Sequence, residues 1–214
     1  MKNKFNMYIF ENKYQLRGYK TIVGLDEVGR GAWAGPVVAA AVCLPMNYRN
    51  DEIKDSKQLS ISQRNKLYDE IRKHAIDYSV IFIDPVQVDE LNVKVASINA
   101  MKQALEELAI EKPCVALIDA EKIDTKIETK SIIKGDEKSI SIASASILAK
   151  VCRDRYMNKI SEKYPQYHFA KHKGYGTLQH LKALKKYGPI AAFHRFSYSP
   201  IKKISESFNK IKNI

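Results

Sequence analysis

Residues 21–44 read TIVGLDEVGRGAWAGPVVAAAVCL, and the division of this stretch decides the fold. Thr21 to Leu25 is a short apolar strand. Pro36 to Leu44, nearly all Val and Ala, has the pattern of a second strand buried on both faces. Together they make a hairpin with a glycine-rich segment between. In that segment two adjacent carboxylates, Asp26 and Glu27, precede glycines at 29, 31 and 35, with Arg30 among them. Glycines this dense let a backbone turn sharply or lie close against a ligand. An acid at the end of a buried strand is held stiffly enough to grip a metal. The plainer reading of the same residues is a glycine-rich turn with two solvated acids.

Outward from the hairpin, helix and strand signals alternate, as in an α/β domain. Asp55, Ser56 and Lys57 sit in a polar loop, and Ser60 with Gln63 makes a capping box for a helix with Leu67 and Ile71 on one face, ending near His74. Tyr78–Ile83 reads as a strand and Asp84-Pro85 as a helix start. Residues 86–108 have helical spacing, with Leu91, Val95, Ile98, Met101, Leu105 and Leu108 as a core stripe. Cys114–Ile118 is a buried strand ending at Asp119, and Ser131–Lys134 a short one followed by Gly135-Asp136. From Ser141 small and apolar residues mix in a close-packed helix that runs through Arg153, Asp154 and Arg155 and ends near Pro165. Asp154, flanked by two arginines, reads as an ion-pair partner. Thr177 caps a last helix carrying Leu178, Leu181 and Leu184, closed by Gly188-Pro189, and the tail after Pro200 is amphipathic and basic.

A chain of 214 residues fits one domain, here residues 1–214 with a basic helical part from about 165 to 214. Three widely spaced cysteines, Cys43, Cys114 and Cys152, form no Cys-x-x-Cys pair, so neither a disulfide framework nor a zinc site is suggested. The first 20 residues lack the apolar stretch of a signal peptide, and no run approaches the roughly 18 apolar residues of a membrane span. A cytoplasmic, monomeric protein without a membrane partner is expected. The net charge of +12 is segregated: residues 1–149 carry 21 basic and 21 acidic side chains, whereas residues 150–214 carry 15 and 3. A positive field gathered in one third of the chain points to a polyanion, nucleic acid foremost.

Asp26, Asp119 and Asp136 each follow a strand, and residues at neighbouring strand ends of an α/β sheet converge. Four carboxylates, with Glu27, would repel one another unless cations sat among them. Hard oxygen ligands suit Mg²⁺ or Mn²⁺, and two such ions about 4 Å apart can activate water and stabilise a leaving oxygen in phosphodiester cleavage. The plainer reading is that Asp119 and Asp136 only terminate strands at turns. There is no phosphate-loop motif, dinucleotide fingerprint or serine nucleophile elbow. The five histidines lack metal-ligand spacing, with His172 a candidate phosphate neighbour.

Six segments in order resemble ribonuclease HII: GLDEVGRG (24–31), DSKQLS (55–60), LID (117–119), KGD (134–136), SIASASILAKVCRD (141–154) and HKGYGT (172–177). The resemblance implies a ribonuclease H-like fold, a mixed central β-sheet flanked by helices with a helical C-terminal part. It also implies cleavage of RNA in RNA–DNA hybrids and at single ribonucleotides embedded in duplex DNA. Asp26, Glu27, Asp119 and Asp136 match the family's metal-binding acids, holding two Mg²⁺ or Mn²⁺ ions. Gly29, Arg30 and Gly31 match a motif that recognises ribose and phosphate at the RNA-to-DNA junction. Tyr175 matches a tyrosine that stacks on the following deoxyribose, and Ser56 and Lys57 match a phosphate-contacting segment. The sequence departs from the pattern at Ala120-Glu121, where many relatives have Gly-Asn, and at Tyr198, where phenylalanine is common. The related ribonuclease HIII carries an additional N-terminal domain, for which the residues before Gly24 leave no room.

Overall fold

The computed structural model of the chain describes residues 6–112 and 114–212. After a short helix α1 (Ile9–Leu16), the expected hairpin is present as strands β1 (Thr21–Val28) and β2 (Val37–Cys43), paired antiparallel from Val23↔Cys43 to Val28↔Val38. Every residue of β2 is buried, as its run of Val and Ala requires. Strand β1 runs three residues further than its apolar run suggested, because Asp26 and Glu27 pair with Ala40 and Ala39. The two acids therefore lie inside the strand and do not follow it.

Helix α2 (Ile61–His74) starts at the capping box: Ser60 Oγ accepts from Gln63 N at 3.2 Å and Gln63 Oε1 accepts from Ser60 N at 2.9 Å. Strand β3 (Asp77–Ile83) follows, and then two helices stand where the spacing suggested one: α3 (Pro85–Leu91) and α4 (Val93–Glu106). The break is at Asn92, whose φ is +66°, and whose side chain accepts from Lys94 N and Val95 N to start the second helix afresh. Restarting the helix changes its phase. Leu91 and Val95 are consequently exposed, and Ala96, Ala100, Met101, Ala104 and Leu105 form the buried stripe.

Strands β4 (Cys114–Asp119) and β5 (Glu128–Ile132) complete a mixed five-stranded sheet of order β3-β2-β1-β4-β5, in which β1, β4 and β5 run parallel. Strand β5 begins three residues earlier than its apolar signal. The 24-residue helix α5 (Ile140–Lys163) ends before Pro165 as expected. It is followed by the short α6 (Phe169–His172), by α7 (Leu178–Tyr187) and by α8 (Ser199–Lys212), so the basic tail is helical, with Ile201 buried. In α7 the inward residues are His180, Ala183 and Leu184, whereas Leu178 is 78% exposed, contrary to its place in the apolar spacing. Among the described residues no helix is long and apolar enough to cross a membrane.

The chain gathers into two compact units. The first holds residues up to Val28, Val38–Ile81 and Ile98–Val151, and the second holds Gly29–Val37, Phe82–Ser97 and the residues from Cys152 onward. In the first, Tyr14, Ile22, Val115, Leu117, Ile132 and Ile142 form an apolar cluster. In the second, Met157, Tyr167, Phe169, Leu184, Phe193 and Ile201 do the same. The strands of the hairpin thus belong mainly to the first unit and its glycine-rich turn to the second.

Candidate active site

Sheet register sets out the acids of the first unit. The last β1–β4 pair is Leu25↔Ile118, and the next residue on each strand is an aspartate, Asp26 and Asp119. Asp119 in turn pairs with Ile132 at the end of β5, four residues before Asp136 in a 3₁₀ turn, Gly135–Glu137. Asp119 Oδ1 accepts from Gly135 N at 2.7 Å, which ties the first acid to the turn that carries the second. Asp26 Oδ1 accepts from Glu27 N at 2.8 Å. On its other side Asp26 meets the Ser146 hydroxyl of α5, itself 3.0 Å from the Ser56 hydroxyl. Strand β1 and α5 approach so closely that a Cβ on Gly24 would lie 2.0 Å from the Ser141 carbonyl carbon, so only glycine fits there.

Asp26 and Asp136 are 6% and 5% exposed. Burial, then the charges of Glu27 and Asp119 and, more weakly, Asp136, push the Asp26 carboxyl well above the usual carboxylate range; the Ser146 hydrogen bond opposes this. Asp136 is also raised by burial, with the Asp119 charge adding to it and Lys57 opposing, its Nζ 3.3 Å from Asp136 Oδ2. Asp26 therefore lies within the field of the other three predicted acids. They are not drawn into a closed shell: among the described residues no three His, Cys, Asp or Glu side chains meet as a metal-holding group. Hard carboxylate oxygens whose charges bear on Asp26 fit a divalent cation such as Mg²⁺ or Mn²⁺. Ser56 is buried with its hydroxyl on Ser146, while Lys57 is largely exposed and reaches back to Asp136. Of the predicted phosphate-contacting pair, only the lysine side chain is presented to solvent.

The remaining predicted residues come together in the second unit. Gly29 has φ +97° and a Cβ there would lie 2.4 Å from Arg153 Nε; Gly31 faces the Tyr175 ring at 4.0 Å from its would-be Cβ. Trp33 N donates to Gly174 O at 2.8 Å, and Ala32 bridges Tyr175, which fastens the glycine segment to the tyrosine loop.

Two buried arginines that the sequence did not single out for this role hold that arrangement. Arg195 donates to Gly29 O at 2.7 Å, Arg30 O at 3.1 Å and Gly35 O at 2.8 and 3.1 Å, and to Tyr198 Oη at 3.0 Å. Arg153 donates to Pro36 O, Ala34 O and Lys173 O at 2.9, 3.2 and 3.0 Å. Arg153, one of the two arginines flanking Asp154, is a backbone clamp, and burial pushes its pKa down to about 10 although the Asp154 charge opposes this. The Tyr198 hydroxyl also donates to Arg30 O. The signal for these clamps was the glycine density itself: a loop without strand partners leaves carbonyls that need donors.

A model of the family described as Ribonuclease HII matches residues 23–201. The chain belongs to the ribonuclease HII family. Ribonuclease HII of Acetivibrio thermocellus is 50% identical over 194 residues, which is 90% of this chain and 75% of that protein. The crystal structure of ribonuclease H2 from Pyrococcus horikoshii OT3 superposes with a TM-score of 0.76 at 28% identity, covering 89% of this chain and 99% of that one. The structure of Bst-RNase HIII in complex with Mn²⁺ matches with a TM-score of 0.65 at 17% identity over 89% of this chain and 70% of that one, a likeness of fold. Membership makes this chain an RNA–DNA hybrid endoribonuclease.

Proposed function

We propose that the chain hydrolyses the phosphodiester bond on the 5′ side of a ribonucleotide, in hybrids and at single ribonucleotides embedded in duplex DNA, leaving 5′-phosphate and 3′-hydroxyl ends. The observation that carries this reading is the sheet register, which makes Asp26 and Asp119 the next residues after the paired Leu25 and Ile118, with Asp119 Oδ1 held at 2.7 Å by the amide of Gly135, the residue before Asp136. Bound divalent ions, two of Mg²⁺ or Mn²⁺, would supply an activated water and charge for the leaving oxygen. Asp26, Glu27, Asp119 and Asp136 would hold them. Strand pairing and the Gly135 amide keep Asp119 from relaxing away from Asp26 as their charges repel. The Ser146 hydroxyl orients the Asp26 carboxylate, and Lys57 steadies Asp136 while offering a cation to a phosphate.

Choice of cleavage position is assigned to Gly29, Arg30, Gly31 and Tyr175. A glycine backbone admits a sugar closely, and a flat tyrosine ring can stack on a deoxyribose. The 2′-hydroxyl is the group that tells RNA from DNA. Basic residues concentrated after residue 149 supply the grip on phosphate. The test is incubation of the wild-type chain with a duplex carrying one ribonucleotide, in Mg²⁺ or Mn²⁺. A single nick 5′ of the ribonucleotide is expected; binding without a nick in either metal would contradict the reading.

A further inference from the structure

Three histidine rings in the second unit, His172, His180 and His194, are buried and take no part in the hydrolysis described above. His172 and His180 stack at 4.5 Å between centroids, with Phe169 edge-on to both and Trp33 tilted against His180. All six ring nitrogens are engaged. A backbone N–H can only donate, so two such contacts fix the proton positions. Ile190 N donates to His194 Nδ1 at 2.8 Å, so a neutral His194 carries its proton on Nε2 and donates to His180 Nε2 at 3.1 Å. His180 therefore carries its proton on Nδ1 and donates to Tyr175 O at 3.0 Å. Gly174 N donates to His172 Nδ1 at 3.2 Å, and His172 Nε2 donates to Tyr167 O at 2.8 Å, so this ring is not a phosphate neighbour.

The result is a one-directional relay from the Ile190 amide through His194 and His180 to the carbonyl of Tyr175. We infer that His180 and His194 are positioning residues for Tyr175, setting the stacking tyrosine against the ribonucleotide junction from behind; this rests on the reading of Tyr175 given above. The relay works only with neutral rings. A proton on His180 Nε2 would face the His194 Nε2–H, and one on His194 Nδ1 would face the Ile190 amide. Burial, reinforced by the neighbouring rings, holds His180 down to about 4 and His194 to about 3. The titratable groups acting on the three rings are the rings themselves, with His168 and Lys173 beside His172. Tyr167, Phe169, Phe193 and Trp33 supply the flanking aromatic rings.

Two measurements on the full chain test this. Histidine ¹⁵N spectra of the wild type at neutral pH are expected to show the Nδ1–H tautomer at His180 and Nε2–H at His194 and His172. Nε2–H at His180 would overturn the relay, and this reading needs no variant to fold. In cleavage, His180→Ala is expected to lower the ratio of rates on a single embedded ribonucleotide and on a continuous RNA–DNA hybrid about tenfold, with kcat carrying the change. His180→Asn, whose amide can still donate to Tyr175 O, is expected to restore most of that ratio. An unchanged ratio, or an equal loss on both substrates, would reduce the histidines to packing and overturn the proposal. Failure of the functional reading shows separately, as a wild type that cuts neither duplex; the relay then stands or falls on the tautomers.

Discussion

The two units bury charge of opposite sign and treat it differently. The first buries Asp26 and Asp136, and burial together with the charges of neighbouring acids raises the proton affinity of both. The second buries Arg153 and Arg195, both 0% exposed, with their donors placed on backbone carbonyls. A buried charge whose hydrogen bonds are met is a structural device, and its cost falls due only when a partner is removed. A buried cluster of like charge is destabilised until a counter-ion arrives, and that marks a site prepared for something outside the chain. The acids are thus read as chemistry and the arginines as support.

The largest effect should come from the acids, on activity alone. Asp119→Asn is expected to lower cleavage by on the order of 10³-fold or more while hybrid binding stays close to wild type. Single-turnover cleavage beside a filter-binding titration checks this, and equal activity would remove Asp119 from the site. The arginines should show the reverse. Arg195→Met leaves the carbonyls of Gly29, Arg30 and Gly35 without this donor, and a loss of about 3 to 5 kcal/mol, or about 10 °C in Tm, is expected in thermal melting. A Tm within a degree of wild type would show that the loop does not depend on the clamp.

A smaller effect of opposite sign separates the two kinds of burial further. The folded pKa of Asp26 is raised above its unfolded value, so burying its charge costs stability above the unfolded pKa, increasingly as pH rises through the folded one. With chelator present at pH 7, Asp26→Asn should melt a few degrees higher than wild type, roughly 1 kcal/mol, and the gap should close near pH 4. A lower Tm at pH 7 would mean that Asp26 is not under strain from its neighbours. The smallest effect concerns Ala120, next to Asp119, held at φ +51°. Ala120→Gly relieves a left-handed alanine and should add about 0.5 to 1 kcal/mol with cleavage unchanged, in chemical denaturation and nicking assays. Destabilisation would show that the alanine side chain packs usefully.

Local chemistry made much of this legible. The run of Val and Ala gave β2, Ser60 and Gln63 gave the start of α2, and the apolar run before Asp119 gave the end of β4, whereas Asp26, read as following a strand, lies within one. Contacts distant in sequence were hidden. Arg153 reaches Pro36 across 117 positions and Arg195 reaches Gly29 across 166, and nothing beside either arginine signals burial against carbonyls. Helical spacing across residues 86–108 also concealed the restart at Asn92, since periodicity records apolar residues and not the phase at which a second helix begins. The histidines were legible as residues without metal spacing, but their relay depends on Ile190 and Gly174 amides that no side-chain pattern reveals.

The central claim is that Asp26, Glu27, Asp119 and Asp136 form one divalent-metal site. Anomalous diffraction from wild-type crystals soaked in Mn²⁺ tests it most directly. The expected result is manganese bound by Asp26 together with the other three carboxylates, with the Lys57 ammonium displaced from direct competition for Asp136. Manganese bound elsewhere, or bound without Asp26, would contradict the account.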